Sequence, residues 1–281
     1  MLRRMKRSLS SLFAVAPLLV GLVVGSCAPA RTSYATFPNA PATFDRAGSD
    51  PKALELADQV FAAAGGPGNW DKAKQIRWNQ TVTSDGKVLL EGEHAWDRWN
   101  ARHFARLHKP DGNIKVGYQL YGSFAMGFME SDNGKTRNLD DESRERAVKV
   151  AKEAFNVDTA VMSLQFLLFE PGAKLSYVGP VRDDAGNEAA YDDLQVVFAD
   201  PLRENLEFHA IVDHTSHLIV RVEMMKPGVN QKVGYTLKDW TTVNGLKFAT
   251  ARTNLGYSGE TTAIKDVKVS EPEDTLFITP L

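Results

Sequence analysis

The sequence predicts a mainly β protein of the α+β class, a curved antiparallel half-barrel of about ten to eleven strands with a helical lid. Three observations predict it. Between residues 74 and 269, apolar and polar residues alternate in short runs, the period of a strand with one buried face. Turn signals separate many of these runs: Asp85-Gly86, Asp111-Gly112, Asn133-Gly134, Ala185-Gly186-Asn187 and Asn244-Gly245. One helical interruption, residues 140–169, becomes almost wholly apolar in its second half, so it needs burial all round, which a concave sheet supplies.

The N-terminus precedes the folded part and has a different character. Arg3, Arg4, Lys6 and Arg7 stand among the first seven residues without an acid, and an apolar stretch over residues 12–24 follows, broken by Pro17 and Gly21. That is the charged and apolar pair of regions of a signal peptide. The stretch is shorter than the ~20 residues a helix needs to span a bilayer, so cleavage is expected and not a permanent span. Val24-Gly25-Ser26-Cys27 resembles the lipobox of bacterial lipoproteins, although Gly25 is a less usual residue at its place.

The lipobox resemblance implies a signal peptide over residues 1–26, acylation of Cys27, and attachment to the membrane through that lipid. Each buried CH₂ contributes ~0.8 kcal/mol, so several acyl chains hold firmly. Cys27 is the single cysteine of the chain, which excludes an internal disulfide. Ala28 in place of Asp resembles an outer-membrane address, giving an expected location in the cell envelope on the periplasmic side. Residues 27–49, rich in Ala, Pro, Ser and Thr, read as an acylated flexible tether, and residues 50–281 as one domain. Removal of the four basic residues from 33 leaves 29 against 35 acids, a charge of −6, so nucleic acid is excluded as a partner.

Asp50 followed by Pro51 predicts a helix start, and Leu54, Ala57, Val60, Phe61 and Ala64 recur at helical spacing until Gly65-Gly66. Gly65-Gly66-Pro67-Gly68 lacks the Lys-Ser/Thr of a phosphate loop and reads as a helix end. Ile76, Trp78, Gln80 and Val82 then alternate up to the Asp85-Gly86 turn and pair with residues 88–96. Further runs lie at 102–108, 114–120, 126–131, 175–181, 193–199, 206–212, 218–226, 232–241, 246–255 and 261–269. The interruption reads as two helical pieces, 140–155 and 159–169.

This order of parts, with Leu90-Glu91-Gly92-Glu93-His94-Ala95-Trp96, Phe104-Ala105-Arg106-Leu107, Ile211-Val212-Asp213, Leu218-Ile219-Val220-Arg221, Lys238-Asp239-Trp240 and Val243-Asn244-Gly245-Leu246, resembles the LolA/LolB-like lipoprotein-localisation superfamily over nearly all of residues 51–281. The resemblance implies an apolar cavity that holds acyl chains, binding without catalysis, and no cofactor. It also implies an arginine near the cavity. Arg77, Arg106 and Arg221 lie in strand-like runs, but none aligns with that role. A protruding apolar loop has a counterpart in character only in Phe124-Ala125-Met126-Gly127-Phe128-Met129, which reads first as an ordinary buried strand, since short apolar runs are usually core.

Candidate cavity residues are Trp78, Trp96, Phe104, Tyr118, Phe166, Phe208, Tyr235 and Phe248, since large aromatics on strands or lid must face something apolar. They are also what the core of such a domain needs. His209, His214, His217 and Asp213 carry zinc-binding chemistry, but a hairpin turn splays His214 and His217, so no metal is expected. Glu93 and His94 face opposite sides of a strand and make no acid–base pair. No His-Glu-x-x-His or Gly-x-Ser-x-Gly occurs. The expectation is therefore a monomeric, non-enzymatic protein binding a hydrophobic ligand or lipoprotein acyl chains at the membrane. The alternative is a structural or sensory module of the envelope with a filled core.

Overall fold

The computed structural model describes residues 44–110, 112–182, 190–199, 202–203, 206–225, 232–257 and 259–278. The expected signal peptide, Cys27 and most of the tether lie outside the described residues. In chain order the elements are α1 (Pro51–Ala63), α2 (Gly66–Lys72), β1 (Gln75–Ser84), β2 (Lys87–Asp97), β3 (Arg102–Lys109), β4 (Gly112–Gln119), β5 (Ala125–Glu130), β6 (Thr136–Asn138) and α3 (Asp141–Leu167). There follow β7 (Ala173–Val181), β8 (Tyr191–Phe198), β9 (Glu207–Asp213), β10 (Ile219–Met225), β11 (Lys232–Val243), β12 (Leu246–Asn254), β13 (Glu260–Ser270) and α4 (Thr275–Ile278).

All strands join one sheet in the order β6-β5-β4-β3-β2-β1-β13-β12-β11-β10-β9-β8-β7. The described residues thus hold thirteen strands where ten to eleven were expected. The short β6 is three exposed polar residues, without the alternation that marks a strand. Neighbours are antiparallel throughout, with β1 and β13 pairing at the centre from Gln75↔Ser270 to Ser84↔Glu260. The two edges, β6 and β7, are consecutive in sequence and connected through α3. Laid flat, thirteen strands at ~4.8 Å spacing would hold those edges ~58 Å apart. A 27-residue helix measures only ~40 Å. Curling of the sheet brings those edges toward the helix, and α3 packs against β4, β5 and β12 across the concave side.

Asp50 caps α1, accepting hydrogen bonds from the amides of Lys52 at 2.7 Å and Ala53 at 3.4 Å, and Pro51 takes the first helical position. Ala53, Leu56, Ala57, Val60 and Phe61 form the buried stripe of α1. The diglycine does more than end a helix, because Gly65 is the hinge into α2. It has φ 124°, and a Cβ there would lie 2.1 Å from the carbonyl oxygen of Gly245, so only glycine fits. Ahead of α1, residues 44–49 already pack on the domain. Asp45 N donates to Ala173 O at 3.2 Å, and Phe44 meets Phe169 edge-on at 5.3 Å.

Most buried apolar side chains form one continuous core between the concave face and the helices. A second small cluster lies on the opposite face, where Leu276 and Phe277 of α4 cover Ala95 and Phe104.

Candidate functional site

The interior under α3 is where the sequence places a ligand, and its geometry follows from the helix that closes it. Asp140 caps α3 by accepting from Ser143 N at 2.8 Å and Ser143 Oγ at 2.9 Å, bonds that lower its carboxyl pKa. Along the first half of α3 only Val148, Ala151 and Phe155 are buried; from Asp158 to Leu167 every residue is. The two expected pieces form one helix, interrupted at Ser163, whose φ −140° and ψ 19° are not helical. Thr159 Oγ1 donates to Phe155 O and Ser163 Oγ to Thr159 O. Such back-bonding by Ser and Thr bends helices. Gln165 Nε2 donates to Lys247 O at 2.9 Å, pinning the second half of α3 to β12.

Aromatic rings fill the space beneath. Trp70 stacks on Phe166 at 4.5 Å and meets Trp96 at 5.9 Å. Phe166 meets Phe248 at 5.4 Å, and Phe155 lies 4.6 Å from His103 and 5.5 Å from Trp96. Of the eight candidate cavity residues, Trp78, Trp96, Tyr118, Phe166, Phe208, Tyr235 and Phe248 belong to this single core. Phe104 does not. His103 points inward to Tyr118, so its neighbour on the strand points outward, onto α4.

A polar seam crosses the apolar interior. The ring of His94 stacks on Trp78 at 4.9 Å and 5°. His94 Nδ1 is 3.4 Å from His103 Nε2, and His103 Nδ1 is 3.0 Å from Tyr118 Oη. Burial lowers the pKa of His94 and lowers that of His103 strongly, and it raises that of Tyr118 strongly; the charged forms are disfavoured away from water. Arg252 of β12 meets Asp158 of α3 at 2.5 Å, and its guanidinium lies 5.1 Å from the Tyr235 ring. Among the described residues, Trp78 Nε1, Gln80 Oε1, His94 Nε2, Asp158 Oδ2 and Arg252 Nη1 are buried without a hydrogen-bond partner. Asp158 is one acid in an otherwise apolar run and Arg252 sits at an inward position of β12, which is the sequence signal that would have found them.

The three arginines of the strand-like runs lie elsewhere. Arg77 pairs with Glu273, Arg106 with Glu93 and Glu130, and Arg221 with Glu223. Phe124 is exposed in the turn before β5, and residues 125–129 belong to the strand. His209 lies between Asp193 at 2.9 Å and Glu207 at 3.1 Å, while His214 pairs with Asp192 at 2.9 Å. Among the described residues no group of three or more His, Cys, Asp or Glu side chains is placed to hold a metal ion.

Beside the first half of α3 lies a cleft of about 440 Å³. Leu120, Phe124, Ala125 and Val148 give it apolar lining, and Arg144, Lys149 and Lys152 with Glu145 and Glu153 give it charged lining of both signs. In backbone architecture the chain is similar to a DUF1329 family protein from Desulfovibrio piger. That structure has a TM-score of 0.50 and 12% identity, over 82% of this chain and 98% of the other. The two share a fold.

Weaker similarity extends to a LolA superfamily protein from Nitrosomonas europaea, with TM-score 0.46 and 10% identity over 79% of this chain and 97% of that one. It extends also to a structure named for an outer membrane lipoprotein-sorting domain from Vibrio parahaemolyticus, with TM-score 0.44 and 10% identity over 80% and 96%. No protein-family model matches the sequence, and no curated protein matches it.

Proposed function

We propose that this chain is a lipid-anchored protein of the cell envelope, held by Cys27 on the periplasmic side of the outer membrane, that binds acyl chains or another hydrophobic ligand in lipid or lipoprotein trafficking. The observation that carries the reading is the closure of the concave face by one helix, interrupted at Ser163 and apolar in its second half, with a cleft of mixed apolar and charged lining along its first half. An acyl chain entering that cleft passes beneath α3, and Lys149 and Lys152 offer cations to an acidic head group. Occupancy requires α3 to move, because the rings beneath it pack on one another. Binding without catalysis is part of the proposal.

The same packing favours a second reading, a filled-core module of the envelope that works through protein contacts. One experiment separates the two. The chain produced from Ala28 onward, without Cys27 or the apolar residues 12–24, is purified gently, and native mass spectra are taken before and after organic extraction. Extra mass that extracts as one class of acyl lipid supports the carrier. Empty protein that also refuses an apolar fluorescent probe overturns it in favour of the module. The anchor is tested on the unaltered chain: a mass for the N-terminal peptide without lipid on Cys27 would remove it.

A further inference from the structure

The concentration of exposed apolar side chains at one end of the sheet points to a contact surface outside the interior. Among the described residues Val88 and Leu89 are each 60% exposed, Leu255 52% and Tyr257 60%. They come from two turns that are bound together. Asp85 N donates to Gly259 O at 3.3 Å, Thr83 Oγ1 and Thr261 Oγ1 are 2.8 Å apart, and Ser84 pairs with Glu260. The β1–β2 tip and the β12–β13 turn therefore form one apolar rim. Clustered exposed apolar side chains of this kind mark a binding surface, whereas single ones do not.

Charge does not select the partner. Lys87 and Lys109 are exposed beside the rim, but so are Asp85 and Glu91. The position of the incoming chain does select it. Because adjacent strands are antiparallel throughout, β2, β13, β11, β9 and β7 all begin at the same end of the sheet. The rim lies at that end, around the first residues of β2 and β13. The described chain arrives there too, where Asp45 is bonded to Ala173, the first residue of β7. From Cys27 to Phe44 is seventeen residues, a span of at most about 60 Å when fully extended.

We infer that the rim of Val88, Leu89, Leu255 and Tyr257 docks on a lipid bilayer, setting the domain on the membrane by this end. The tether argument rests on the anchored reading above, but the docking itself does not need the anchor. Branched apolar side chains with a tyrosine suit the boundary between head groups and acyl chains. The contact holds β2 and β13 against the membrane and leaves the cleft beside α3 outside the rim.

The test uses the chain produced from Ala28 onward, without Cys27 or the apolar residues 12–24, so that any attachment comes from the part beyond the anchor, with vesicles of phosphatidylethanolamine and phosphatidylglycerol in a flotation assay. Flotation with the vesicles is expected, and the triple variant Val88→Ser, Leu89→Ser, Tyr257→Ser should partition roughly tenfold more weakly. Phe124→Ser, in the turn before β5, should float as the parent does. All three changed rim residues are exposed, and an unaltered melting curve confirms that the variant folds. A parent that stays in solution overturns the inference, as does a rim variant that floats equally well. A parent that is dimeric without vesicles, and becomes monomeric on changing the rim, would assign the surface to a second copy instead. Lipid co-purification read on the same rim variant keeps the two proposals apart, since ligand retained with flotation lost leaves the interior reading standing.

Discussion

Arg252 on β12 and Asp158 on α3 form an ion pair across the interior, Nη2 to Oδ1 at 2.5 Å, with both side chains at most 6% exposed. The pair ties the lid to the sheet at a point where neither charge reaches water. Removing one partner strands the other, which typically costs about 3–5 kcal/mol, whereas removing both for apolar residues of similar size is close to neutral. Asp158→Leu and Arg252→Met should each lower stability by that order. The double variant should recover most of it, as read by urea unfolding in a double-mutant cycle. Additive losses would mean that the two side chains do not act on one another.

Gly65 offers a sharper steric test. Alanine there would have to hold φ 124° and place its Cβ 2.1 Å from Gly245 O, so the α1–α2 hinge would move off β12. A loss on the order of 3 kcal/mol is expected from strain of this kind. Gly66→Ala also carries positive φ, at 77°, but no atom lies within 4 Å of its Cβ. It should lose clearly less, and equal losses at the two positions would place the cost in φ alone.

What the sequence reveals and conceals follows from these same residues. Strands such as β1 and β2 were readable because one face is buried and Asp85-Gly86 closes the hairpin, and the register Ile76↔Trp96 keeps both side chains inside. The Asp50 cap and the apolar second half of α3 were readable for the same reason: local chemistry dictated local structure. β6 was not, since Thr136–Asn138 joins the sheet only by pairing with Phe128, Met129 and Glu130. The outward placement of Phe104 depends on α4, a four-residue helix more than 170 positions away whose Phe277 covers it. The polar seam escaped because each member reads alone as a single polar residue, and only the closing of the sheet brings Arg252 to Asp158.

Stability should depend on pH through histidines that act in opposite directions. Asp193, and after it Glu207, raise the pKa of His209 above its ordinary 6.5, against a smaller loss from desolvation. A proton held more tightly in the folded chain stabilises fully below 6.5, and that contribution disappears as pH rises through the raised value. Burial lowers His94 and His103. Their contribution is present above 6.5 and is lost as pH falls toward their depressed values, because the unfolded chain then binds protons that the folded chain refuses. His209→Gln should therefore flatten the decline on the alkaline side and leave the acid side unchanged in slope. Unfolding by urea from about pH 5 to pH 8 reads both limbs. A variant curve parallel to the parent's everywhere would show that His209 carries no such proton.

On the convex face, Glu130 is held by Lys115 at 2.7 Å, Asn113 at 2.9 Å and Arg106 at 2.6 Å. Led by the Lys115 bond, these contacts lower its pKa to about 2. Its stabilising contribution is thus present above the ordinary carboxylate value and is lost only as pH falls toward 2. Lys115→Met should raise the Glu130 pKa toward the ordinary 4.5 and bring acid unfolding to higher pH. Carbon-detected titration of the Glu130 carboxyl measures it directly, and an unmoved midpoint would assign the low value to Arg106 and Asn113 instead.

Phe166 lies at the centre of the packing beneath the lid, stacked on Trp70, edge-on to Phe61 and Phe248, and 1% exposed. Truncation to alanine removes a whole ring from a layer held on three sides, and such losses cost about 3–5 kcal/mol when the surroundings cannot collapse. The walls here are strand and helix side chains in contact with further aromatics, so little collapse is expected. The space left is apolar and lies under α3, where an acyl chain would have to go. If the ring occupies the room a ligand takes when α3 moves, Phe166→Ala should be less stable than the parent and yet bind an apolar fluorescent probe more tightly. Destabilisation with unchanged probe affinity would instead mark Phe166 as core alone and would count for the filled-core reading.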